Sequence, residues 1–90
     1  MPKFRKKPVV IDAWCVNDLI TDQRLGRALP EDIEQMIALG VIQLEQTGLS
    51  VLTKEGRMRG NANDMLIRGG AGEFYPCKPD IFAATYEEAR

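Results

Sequence analysis

Ninety residues, 44% hydrophobic and 28% charged, suffice for one small core, burying roughly 60–65% of the surface that the unfolded chain exposes. A net charge of −1 argues against a duplex-DNA binder, which is basic as a whole, and no apolar run approaches the roughly 20 residues of a membrane span. There is no histidine and there are two cysteines, Cys15 and Cys77, so the commonest general base is missing and no zinc-site spacing exists.

In chain order, the first seven residues form a basic arm. They resemble the start of a signal peptide, but Asp12 interrupts the short apolar run that follows. The chain therefore reads as one cytoplasmic domain spanning residues 1–90, with two free thiols that act as small buried hydrophobes. Residues 8–16, Pro8 to Val16, are β-branched and apolar and predict a strand that starts at a proline. Period-two alternation assigns Val9, Ile11, Ala13 and Cys15 to the core face and Val10, Asp12 and Trp14 to the other. Residues 17–29 predict a loop with a helical turn.

Residues 30–40 predict a helix. Pro30 suits its first turn, Glu31 and Asp32 suit its positive end, and Ile33, Met36, Ile37 and Gly40 fall on one face. Gly40 also supplies a left-handed stop. Short strands follow: 41–45 with Ile42 and Leu44 on one face, 49–53, a turn at Lys54-Glu55-Gly56, then Arg57-Met58-Arg59 with both arginines on one face. Residues 60–64 read as a loop and 65–68 as a strand. Gly69-Gly70-Ala71-Gly72 reads as a turn and 73–77 as the returning strand. A helical turn from Pro79 to Ala84 precedes an edge strand at 85–87. One helix over a mainly antiparallel meander is an α+β fold. Trp14, Phe74 and Tyr75 are candidates to cover its second face.

Charge is uneven along the chain. Residues 1–10 carry four cations and no anion, residues 11–56 are net −5, residues 57–78 net +2 and residues 79–90 net −2. The acidic helix face reads as solvated surface. The candidate ligand site is the basic and aromatic set Arg5, Lys7, Trp14, Arg57, Arg59, Arg68, Tyr75 and Lys78. Arginine forks bind phosphate in paired hydrogen bonds, and aromatic rings stack on bases or guanidinium groups. The glycine run lacks the Lys-Ser/Thr of a phosphate-binding loop. Asp64, Glu73 and Asp80 are the carboxylates nearest the basic set, and no spacing assigns them acid–base work. No catalytic residue, metal site or cofactor is expected.

The chain resembles a widespread family of small phage and prophage proteins. The match lies in Arg5-Lys6-Lys7-Pro8-Val9-Val10-Ile11-Asp12-Ala13 and Asp64-Met65-Leu66-Ile67-Arg68-Gly69, in Gly72-Glu73-Phe74-Tyr75-Pro76-Cys77-Lys78-Pro79-Asp80-Ile81-Phe82, and in Thr85-Tyr86-Glu87. It covers both ends of the chain, and the helix agrees in place and length. One departure stands out: Asn61-Ala62-Asn63-Asp64-Met65 replaces the family's Pro-Gly-Asp-aromatic turn, so a role of that aromatic does not transfer. The resemblance implies a phage origin and a host-cytoplasm setting, and it assigns no activity.

Two functional expectations result. One is a phage accessory protein that binds a small anionic, nucleotide-like ligand and sequesters a host-defence signal, with the pocket formed in a homo-oligomer. The other is a non-catalytic interaction module docking on a host or phage protein through a sheet edge or the acidic helix. Neither involves duplex DNA or a membrane.

Overall fold

The computed structural model describes residues 2–4 and 9–88. The elements are β1 (Asp12–Cys15), α1 (Val16–Arg24), α2 (Glu31–Ala38), β2 (Ile42–Leu44), β3 (Gly48–Thr53), β4 (Gly56–Asn61), β5 (Met65–Arg68), β6 (Phe74–Cys77) and α3 (Pro79–Thr85). The fold is α+β with antiparallel pairing throughout. The strands form two three-stranded sheets, ordered β1-β5-β6 and β2-β3-β4, where the sequence suggests one meander. Three helices accompany them instead of one. Among the described residues no helix is long and apolar enough to cross a membrane.

The core lies between the sheets and the first two helices. Val16, Leu19 and Ile20 come from α1, Ile33 from α2, Ile42, Leu49 and Val51 from the second sheet, and Leu66 and Phe74 from the first. β6 lies against β3 and β4, which joins the sheets, while α1 contacts β1 and β3 and α2 contacts β2.

The first strand differs from its sequence reading in length and in phase. Only residues 12–15 pair, and Val9 and Val10 are exposed. Trp14 turns inward and stacks on Phe74, with ring centroids 6.2 Å apart. The phase is set by the register: Trp14 is opposite Leu66, which is opposite Pro76, all on the core face. Ala13, Ile67 and Tyr75 share a rung on the other face. Ile67 is fully buried there. Beside it, the Tyr75 hydroxyl meets that of Tyr86 at 3.5 Å, and the Tyr86 ring packs on Phe82 at 5.3 Å. Tyr86 thus follows α3 as a packing residue, and residues 85–87 form no strand. The second face is covered by Tyr75 and Tyr86, while Trp14 and Phe74 belong to the core.

Residues 17–29 contain a real helix. Asn17 and Asp18 are weak helix formers, but Val16, Leu19 and Ile20 sit at i, i+3 and i+4 and are all buried. That stripe packs on the core, and tertiary packing overrides propensity. α2 begins one residue later than its proline suggests, with Pro30 as the flanking residue. It ends in a Schellman motif: Val41 N–H bonds Met36 O at 2.9 Å and Gly40 N–H bonds Ile37 O at 3.0 Å. Gly40 holds the required left-handed conformation at φ +78°. The strand ending at Asn61 runs further than the predicted loop at 60–64 allows, and Ala62 to Asp64 make the turn.

Cys15 and Cys77 both pair with Met65, one from each side of β5. Two strand spacings, roughly 9–10 Å, separate them, beyond the reach of a disulfide. Both are free.

Candidate functional site

The β2-β3-β4 sheet has one apolar face and one polar face. Leu49 and Val51 of β3 point into the core, and Ser50 and Leu52 alternate outward. Ser50 is opposite Arg59 and Leu52 is opposite Arg57, so both arginines share the outer face as their spacing requires. Their Cα atoms lie roughly 6.5–7 Å apart along β4.

Arg57 lies across this face. Its Nη1 donates to Ser50 Oγ at 3.0 Å, and its Nη2 donates to the carbonyl oxygen of Gly40 at 3.0 Å. Gly40 follows α2, whose last turn has no basic residue, so the guanidinium also meets the negative end of that helix. Ser50 is buried although it faces outward. Arg57 has no carboxylate among its described partners, so it is anchored only by neutral acceptors. Arg59 is paired, with Nη1 to Glu45 Oε1 at 2.9 Å and Nη2 to Thr47 Oγ1 at 3.4 Å.

The remaining predicted residues lie elsewhere. Arg68, on the other sheet, is 3.7 Å from both Asp12 and Asp32, distances that contribute little at a surface. Lys78 Nζ is 3.3 Å from Asp64 Oδ2. Trp14 and Tyr75 point to opposite faces of the first sheet, so they do not form one stacking clamp. Arg5 and Lys7 lie outside the described residues. The structure brings Arg57 and Arg59 together and gives Arg59, Arg68 and Lys78 acidic partners.

Asp64 carries more than its sequence suggests. Its side chain is only 5% exposed, and besides Lys78 it accepts the Asn61 N–H at 2.8 Å. Its backbone carbonyl accepts the Val16 N–H at 3.0 Å, and its N–H donates to Asn61 O at 2.9 Å. This turn therefore fastens the start of α1 to the junction of β4 and β5. Asp64 reads as an anchor of the fold, not as an acid or base. Its partners Asn61 and Val16 are not marked by any motif. Ser50 and the Gly40 carbonyl, which fix Arg57, were equally hidden, because a strand–strand register and a helix end supply them.

Other reactive groups are subdued. Burial pushes the Cys77 thiol up, with the charges of Asp64 and Asp80 adding to it, which lowers its thiolate fraction at neutral pH. The Tyr75 phenol is pushed up to about 12, first by its hydrogen bond with Tyr86 and then by burial.

Two open depressions flank α1. One, of about 300 Å³, is lined by Gln23, Gly26, Arg27, Leu29, Glu34 and Ile37. The other, of about 390 Å³, is lined by Ile20, Gln23, Arg24, Leu44, Glu45 and Gln46. Both mix charges and apolar groups, and neither includes Arg57. Among the described residues no group of three metal-ligating side chains forms. Compared with family models, curated proteins and solved structures, the chain matches none.

Proposed function

We propose that this protein is a non-catalytic interaction module, a phage accessory protein of the host cytoplasm, and that it docks an acidic protein segment on the outer face of the β2-β3-β4 sheet. The observation that carries this reading is Arg57: a guanidinium held by Ser50 and Gly40, with no ion-pair partner among the described residues, next to Arg59 on one open face. A pre-positioned arginine fork loses little freedom when it takes a carboxylate in paired hydrogen bonds. Exposed Leu52, opposite Arg57, adds apolar contact to the same face. An open sheet face suits a peptide or protein surface, whereas a nucleotide-sized molecule is ordinarily enclosed by its pocket.

A second reading remains attached to Arg57. Its unused N–H groups also suit a phosphate, and a second subunit over this face would enclose a nucleotide-like ligand and sequester it. Calorimetric titration separates the two. A glutamate-rich peptide is expected to bind the wild-type chain, more weakly as salt rises, and not to bind Arg57→Ala. Stabilisation by nucleotides or ADP-ribose derivatives, about 2.7 kcal/mol at a hundredfold excess over Kd, would replace the first reading with the second. No response to either class would remove both.

A further inference from the structure

Each three-stranded sheet has two edges, and three of the four edge strands carry a device that discourages pairing with another chain. β2 has only three residues. β4 presents Arg57 and Arg59, and β6 contains Pro76, which has no N–H to donate. β1 has none of these. Residues 9–15 are Val9, Val10, Ile11, Asp12, Ala13, Trp14 and Cys15, with a single charge, Asp12, which lies 3.7 Å from Arg68 of its own sheet.

The residues leading into β1 are β-formers without a sheet. Val9 is 53% and Val10 80% exposed, and residues 9–11 make no backbone hydrogen bond to any described residue. A β-branched run of this kind is stable as a strand only when it is paired and partly covered. The sequence also contains its own electrostatic complement: four cations and no anion in residues 1–10, against a net −5 over residues 11–56.

We propose that the outer edge of β1, extended by residues 9–11, pairs antiparallel with the same segment of a second copy, fusing two β1-β5-β6 sheets into one across a twofold axis. Symmetry restricts the register. A perpendicular twofold axis places one residue opposite its own copy, because side chains directly opposite must share a face. Asp12 on the axis would set two carboxylates opposite each other, which is unfavourable. Ile11 on the axis instead pairs Val10 with Asp12 and Val9 with Ala13 of the second copy, which engages both exposed valines. The excess of cations in residues 1–10 and of anions in residues 11–56 favours such a pairing of two copies. This edge lies on the sheet that does not carry Arg57 and Arg59, so the dimer and the proposed function stand or fall separately.

The test is the molar mass of the full chain in solution by sedimentation equilibrium, up to about 100 µM, where a micromolar dimer is largely assembled. The expected result is a monomer–dimer equilibrium that weakens at high salt and that Val10→Lys weakens roughly tenfold or more. Val10→Lys touches no core residue, so its circular dichroism should match the wild type. Ile11→Cys should cross-link to dimer under mild oxidation, with the wild-type chain and its two native thiols as the background. A chain that stays monomeric over this range, a dimer indifferent to Val10→Lys, or a dimer that Ile11→Cys fails to cross-link would each overturn the proposal.

Discussion

Replacing Asp64 by alanine removes two interactions of unequal value. Lys78 is 56% exposed and Asp64 is 5% exposed, so the lysine returns to water at little cost. The Asn61 N–H, bonded to the carboxylate at 2.8 Å in a partly buried turn, loses a charged acceptor, a loss of about 1.5–3 kcal/mol. Asp64→Ala should therefore cost about 2 kcal/mol, or roughly 8–16 °C in Tm for a domain of this size. Asp64→Asn keeps an oxygen for the Asn61 N–H and should cost about half as much. Lys78→Ala should be felt in the wild-type background, where it strips a buried carboxylate of its cation, and not in Asp64→Ala, which gives a coupling of about 0.5–1 kcal/mol. Urea and thermal unfolding of the four chains completes the cycle. A cost below about 0.5 kcal/mol for Asp64→Ala, the level of an ordinary surface change, would refute the anchoring role.

Other substitutions probe other parts of the fold. Ile33→Ala, at a fully buried site where α2 meets the core, should cost about 2–5 kcal/mol by urea unfolding. Gly48→Ala would drive a methyl group into the Gly60 carbonyl oxygen across the β3–β4 pair, so it should lower Tm by several degrees and disturb the amide shifts of both strands. Gly40→Ala meets no neighbouring atom; its cost is the left-handed conformation alone, about 1 kcal/mol. For Tyr75 the folded pKa is raised from 10.0 to about 12, so its contribution to stability is complete below pH 10 and is lost as pH rises through 12. Ultraviolet titration should show one late-ionising tyrosine that Tyr75→Phe abolishes.

Local signals in the sequence identify the α2 helix and its glycine stop, the hairpins at 54–55 and 69–73, the short strands and the proline-led α3. These elements depend on neighbouring residues alone. The helix at 16–24 was obscured by Asn17 and Asp18, because its stability comes from three side chains finding a distant core. The phase of the first strand is the reverse of the one its sequence suggests, because an isolated alternating run does not say which face is inside; Leu66 and Phe74 decide that. At the candidate site, the shared face of Arg57 and Arg59 was legible from strand periodicity. What each cation pairs with was not, because Glu45, Asp12, Asp32 and Asp64 reach their partners through tertiary contacts.

The most direct test of the arginine face is an amide chemical-shift titration of the isotope-labelled chain with a glutamate-rich peptide, repeated with Arg57→Ala. The substitution should cost about 1 kcal/mol of stability through the lost helix-end contact and leave the rest of the spectrum in place. The expected result is a set of shifts confined to Gln43, Ser50, Leu52 and Arg57 to Arg59, absent in the Arg57→Ala chain. Shifts that map to the β1-β5-β6 sheet, or that survive the substitution, would contradict the assignment of this face as the recognition surface.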